Sequence, residues 1–146
     1  KGPFRGEVYG LHKAFGVVVF GLALIRLGWR VTHTVPEPVP GMTAFERAAA
    51  TWAHRLLYGL MLALPAVGVL MSQTHGYAVG VFGIVTVPTL IGKDEGLGEL
   101  FEALHGGLAM VLAGLVAVHV AAALRHHFIR RDDVLKRMTF GTLETD

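Results

Sequence analysis

Apolar positions run through this chain in three long stretches, separated by two links of different character. The first stretch extends from Tyr9 to Trp29 around the core Ala14-Phe15-Gly16-Val17-Val18-Val19-Phe20-Gly21-Leu22-Ala23-Leu24-Ile25. The second runs from Ala44 to Met71 and is most apolar from Leu56 onward. The third runs from Leu97 to Phe128 and is nearly free of charge between Glu102 and Arg125. A helix rises 1.5 Å per residue, so about 20 residues cross a hydrocarbon layer of about 30 Å. Each stretch is long enough. The valines of the first stretch favour strand locally, but its length and its Lys/Arg flanks argue for helix. The expected fold is all-α: a transmembrane helical bundle with three spans, at about 9–29, 44–71 and 97–128, forming a single domain over residues 1–146.

The links differ in kind. Val35-Pro36-Glu37-Pro38-Val39-Pro40-Gly41 alternates prolines, which stop a helix and favour a stiff, extended chain. Thr43, with Glu46 three residues on, is a capping box for the second helix. Pro65 lies inside that helix, where a membrane protein tolerates it with a modest kink. The segment from Tyr77 to Ile91 is apolar but rich in glycine and interrupted by Pro88. It is too broken to span and reads as an interfacial or re-entrant segment, with an ordinary covering loop as the plainer alternative.

Composition agrees with a membrane location. Charged residues make up 16% and hydrophobic residues 53%, with a mean hydropathy of +0.53. A soluble domain carries about 25% charged residues. Three buried helices of a soluble protein would need other layers to cover them, and 146 residues do not supply these. Lipid is therefore the expected surrounding, and a net charge of +2 calls for no nucleic-acid partner. The chain has no cysteine, which excludes disulfides, thiolate metal sites, iron–sulfur clusters and covalently attached haem.

Charge also orients the spans. Arg30, Arg47 and Arg55 flank the first link, and Arg125, Arg130, Arg131, Lys136 and Arg137 follow the third span. The opposite side carries Lys93 against Asp94, Glu95, Glu99 and Glu102. The positive-inside rule puts the first link and the C-terminus in the cytoplasm of a bacterial inner membrane. The N-terminal end then lies outside. No signal peptide is legible and the sequence begins at Lys1, so a further helix upstream, and a four-helix parent, are expected.

Ionisable groups within spans are costly and usually functional. His105 and His119 are 14 residues apart on the third helix. That spacing falls about 40° short of four turns, so both share one face, about 21 Å apart along the axis. Two haems stacked across a membrane, each taking one ligand from this helix, need this arrangement. Without cysteine they would be b-type and non-covalently held. His12 lies near the outer end of the first helix at the depth of His105, which makes His12–His105 the natural outer pair. For His119, the partner is either His54 or a histidine on the upstream helix. Gly16, Gly21 and Gly28, with Gly106, Gly107 and Gly114, leave room for a flat macrocycle; close helix packing is the rival explanation. Arg26, Arg30, Arg55 and Arg125 are candidates for haem propionates or lipid headgroups, and Arg26 is the deepest. His33, His75, His126 and His127 fall in loops or at the end of the third helix. His126 and His127 point about 100° apart and read as interfacial residues, with quinone protonation as the alternative.

These features resemble the bacterial cytochrome b561 family of small di-haem membrane proteins, which includes superoxide oxidases. The resemblance rests on His54-Arg55-Leu56-Leu57-Tyr58, on Ala63-Leu64-Pro65-Ala66-Val67-Gly68, and on His105 to His119 followed by Ala121-Ala122-Ala123-Leu124-Arg125-His126-His127-Phe128. The tail Arg131-Asp132-Asp133-Val134-Leu135-Lys136-Arg137-Met138 extends it over nearly the whole chain. It implies that the three spans match the second, third and fourth helices of the family. It also implies that His12 and His105 hold the outer haem, and that His119 pairs with a histidine early in the family's first helix. The implied function is electron transfer between a periplasmic donor, superoxide above all, and ubiquinone, as in a superoxide:ubiquinone oxidoreductase. Lys13, beside His12, would draw an anion to the outer haem. Two other classes compete. A haem-bearing subunit of a larger quinone-linked dehydrogenase or hydrogenase would need its partner to be reduced. A non-redox membrane protein would bind no haem. The sequence leaves room for a homo-oligomer.

Overall fold

The computed structural model describes residues 3–34 and 41–131. Three helices dominate it: α1 (Pro3–Thr32), α2 (Ala44–Thr74) and α3 (Glu95–Arg125). A small antiparallel hairpin, β1 (Gly80–Val81) with β2 (Val85–Thr86), lies between α2 and α3. The proline-rich link at Val35–Pro40 and the tail from Asp132 onward, with Lys136 and Arg137, lie outside the described residues.

Each helix is long and apolar enough to cross a membrane. Their large apolar side chains point outward: Ile25 is 71% exposed, Val31 76% and Met110 76%. The buried apolar residues are few, namely Ala14, Ala23, Leu60, Val79 and Ala123. A protein in water would not keep such a surface, because apolar area exposed on that scale drives association. In hydrocarbon it is the stable arrangement. The chain forms an all-α transmembrane bundle. Its centre is α2: α1 and α3 each pack against α2, while α1 and α3 stand apart from each other.

Local chemistry sets the helix ends. Thr43 is extended (φ −65°, ψ 159°) and its Oγ1 accepts from Glu46 N–H at 3.2 Å. Glu46 Oε2 accepts in return from Thr43 N–H at 2.9 Å, completing the capping box read from the sequence. Asp94 caps α3 by accepting from Leu97 N–H at 2.9 Å, which starts that helix two residues before the expected Leu97. At the other end the helical path runs on past Phe128: the α-helix to Arg125 widens into one π-helical turn, His126–Arg130. Arg131, left-handed at φ 53°, ends the turn by donating its N–H to the His126 carbonyl. His126 is buried within this turn.

The segment expected to be interfacial or re-entrant folds as a covering hairpin packed on α1. Ile84 N–H donates to the Val81 carbonyl at 3.0 Å across a turn whose central residues, Phe82 and Gly83, both have positive φ. Such a turn matches strand twist but is costly for phenylalanine. Phe82 is held there by its edge-on contact with Phe15 of α1, ring centroids 5.2 Å apart. The links on either side of the hairpin are tied to the end of α2. Buried Gln73 donates to the Pro88 carbonyl at 2.8 Å and accepts from Leu90 N–H at 2.9 Å. Asp94 N–H donates to the Thr74 carbonyl at 3.0 Å, so α3 begins against the end of α2.

Truncating Gln73 would orphan a backbone donor and a backbone acceptor at once. Gln73→Ala is expected to destabilise the protein by about 1–3 kcal/mol. Thermal unfolding of the detergent-solubilised protein, followed by circular dichroism, checks this; an unchanged midpoint would show that the clamp contributes nothing.

Candidate functional site

Histidines from different helices meet in twos. Near the hairpin end, His12 of α1 and His105 of α3 face each other with ring centroids 6.2 Å apart and ring planes 88° apart. They bridge the gap left between α1 and α3, helices that share no other packing. Two imidazoles that each ligate one metal at about 2 Å hold their centroids about 6 Å apart. The pair therefore has the spacing of two axial ligands. His105 Nδ1 lies 3.2 Å from the Leu64 carbonyl oxygen of α2. A carbonyl only accepts, so Nδ1 carries the proton and Nε2 keeps its lone pair for a metal.

Towards the other end, His54 of α2 and His119 of α3 are in edge contact, with centroids 5.3 Å apart and planes at 72°. This is about 1 Å closer than the centroids of two imidazoles on opposite sides of one metal. Arg26 lies 14 residues beyond His12, the same offset that separates His119 from His105. It therefore lies on the His12 side of α1, one repeat deeper. It is exposed and has no ion pair or ring contact among the described residues.

The other arginines named from the sequence have partners within the chain. Arg30 lies over the Tyr58 ring at 5.6 Å and Arg55 over Trp52 at 5.1 Å. Arg125 reaches Glu46 at 3.6 Å, and Arg130 contacts the same carboxylate at 2.9 Å. Glu46 thus caps its own helix and ties the start of α2 to the end of α3.

A cavity of about 1090 Å³ opens at the hairpin end, lined by His105, Gly6, Gly10, Gly106 and Lys13, with Tyr77 of the loop. A smaller one of about 170 Å³ is lined by His12, Gly16, Pro65, Gly68 and His105. A Cβ built on Gly16, Gly21, Gly28, Gly106, Gly107 or Gly114 would meet nothing within 4 Å. These glycines therefore do not serve close packing among the described helices. Gly106 lines the larger cavity with His105, and Gly16 the smaller one with His12 and His105, which leaves room there for a flat group.

Sequence reasoning missed two residues here. His75, read as a loop residue, caps the end of α2, lines the large cavity and points Nε2 at Glu102, 3.7 Å away. It is 27 positions from Glu102, and no helical period links the two. Gly68 is the second: its missing side chain lets the His105 ring lie against α2. Lys13 sits over the Tyr77 ring at 5.3 Å on the cavity wall. Among the described residues no three potential metal-ligating side chains converge. Paired imidazoles suit a metal whose remaining positions a macrocycle fills.

A family model described as prokaryotic cytochrome b561 matches residues 1–141. Two Escherichia coli proteins are similar along most of the chain. Cytochrome b561 homolog 2 is 38% identical over 88% of this chain and 68% of its own length. Cytochrome b561 homolog 1 is 32% identical over 87% of this chain and 72% of its own. A Yersinia pestis protein named probable superoxide oxidase CybB is 27% identical over 88% of this chain and 72% of its own.

Proposed function

This chain belongs to the prokaryotic cytochrome b561 family of multi-pass bacterial membrane cytochromes, which implies haem b, and from that premise we propose that it passes electrons from a periplasmic donor to ubiquinone. The observation that carries the reading is the His12–His105 pair, spaced for axial ligation beside cavities that Gly16 and Gly106 help to line. His12 and His105 would hold one haem there. His119 would hold a second, nearer the cytoplasm. The 5.3 Å contact with His54 is short for a shared iron and favours a second ligand from a preceding helix, with His54 packed beside it. Arg26, at the depth of His119 and without an ion pair or ring contact among the described residues, is the residue proposed to pair with a propionate. Each haem, when bound, supplies a one-electron couple.

The donor proposed is superoxide. Each superoxide anion gives up one electron and leaves as dioxygen. Two such electrons, with two protons, convert one ubiquinone to ubiquinol. Lys13 on the cavity wall places a positive charge beside His12, where an approaching anion gains from it. The hairpin and His75 border the same opening and limit access to it. The name of the Yersinia relative supports superoxide as donor. The cluster of Arg30, Arg47, Arg55, Arg125 and Arg130 supports a cytoplasmic C-terminus.

Two tests follow. His105→Ala or His12→Ala should remove the outer haem, and His119→Ala the inner one, each with the other retained; haem is counted by pyridine haemochrome. Full haem content in any of these variants contradicts the ligand assignment. In stopped flow, superoxide should reduce the purified cytochrome without another protein, and a soluble ubiquinone should reoxidise it. A protein that superoxide leaves oxidised is instead a subunit that needs a dehydrogenase or hydrogenase partner.

A further inference from the structure

We infer that one turn of α2, from Leu64 to Gly68, is a positioning element that fixes the tautomer and plane of His105 and so sets the potential of the haem this histidine holds. The inference rests on the haem reading above and goes beyond it, because it concerns what orients the ligand and not which residues ligate. Two observations meet on that turn. The Leu64 carbonyl oxygen accepts from His105 Nδ1 at 3.2 Å. Four residues on, and hence on the same face of α2, Gly68 leaves the space into which the imidazole edge fits. A Cβ at Gly68 would lie 2.9 Å from His105 Cε1 and 3.2 Å from Nδ1. Such approaches are closer than packed atoms tolerate, so any side chain there pushes the ring off the Leu64 carbonyl.

The consequence is electronic as well as steric. A ligating imidazole that donates its other N–H to a carbonyl is more basic and more firmly oriented. A more basic axial ligand favours ferric over ferrous iron, which lowers the potential. Loss of the hydrogen bond therefore raises it. Gly59 lies on the same helix but has nothing within 4 Å of its notional Cβ, which makes it a matched control.

The experiment compares wild type, Gly68→Ala, Gly68→Val and Gly59→Ala. Each is purified as the full-length haem-loaded protein, with haem counted and potentials titrated optically. The His105-ligated haem is identified by its absence from His105→Ala. Gly68→Ala should shift that haem's midpoint to more positive potential and leave the other unmoved. Gly68→Val should shift it further or lose that haem alone, and Gly59→Ala should change neither. An unchanged potential in Gly68→Ala at full haem content overturns the inference. So does an equal shift in Gly59→Ala, or loss of both haems from Gly68→Ala, which would make Gly68 a residue of general packing. Absence of haem from the wild type would instead sink the underlying haem reading.

Discussion

Apolar side chains gain little by leaving lipid for a neighbouring helix, so hydrophobic helices in a membrane need another reason to keep a fixed arrangement. In this chain α1 and α3 are each held on α2 with polar ties at the ends, and two imidazoles meet across the space left between them. α1 and α3 do not pack on each other, yet His12 and His105 reach across the space between them to 6.2 Å. Everything near that pair serves the gap. α2 holds both helices from one side, Gly16 and Gly106 line the cavities there, and the hairpin seats Phe82 on α1. A bundle built only for tight packing would have closed this space.

Polar anchoring is concentrated at the two ends, where it costs least in a membrane protein. At the hairpin end Gln73 and Thr74 fasten the loop and the start of α3 to α2. At the other end Glu46 joins its own capping box to Arg125 and Arg130. Between these ties the helices rely on few contacts, and the hydrogen bond from His105 to the Leu64 carbonyl is a polar link between two helices within the apolar zone. It fixes a side chain that the proposed chemistry needs and an interhelical register at once.

The sequence was legible where one period or one short motif carried the information. Helix spacing alone put His105 and His119 on one face, and their depth matched His105 to His12. The Thr43–Glu46 box was local and therefore readable. Features that depend on distant partners were not. The hairpin needs Phe82 in a left-handed conformation, which only the contact with Phe15 makes tolerable. The π-helical turn at His126–Arg130 has no composition signal, so the burial of His126 could not be foreseen. A backbone carbonyl such as that of Leu64 leaves no mark in a sequence, and Gly68 entered only as part of a stretch that carries the family resemblance. The His54–His119 pairing was left open in the sequence, and the structure brings the two rings to 5.3 Å.

The central claim is that residues of this chain clamp a haem between α1 and α3. Haem quantitation and absorption spectroscopy of the 146-residue chain, purified from membranes, test it most directly. The account predicts a b-type haem that is six-coordinate and low-spin, held by His12 and His105. A 146-residue chain that binds no haem, or binds it five-coordinate and high-spin, would contradict it.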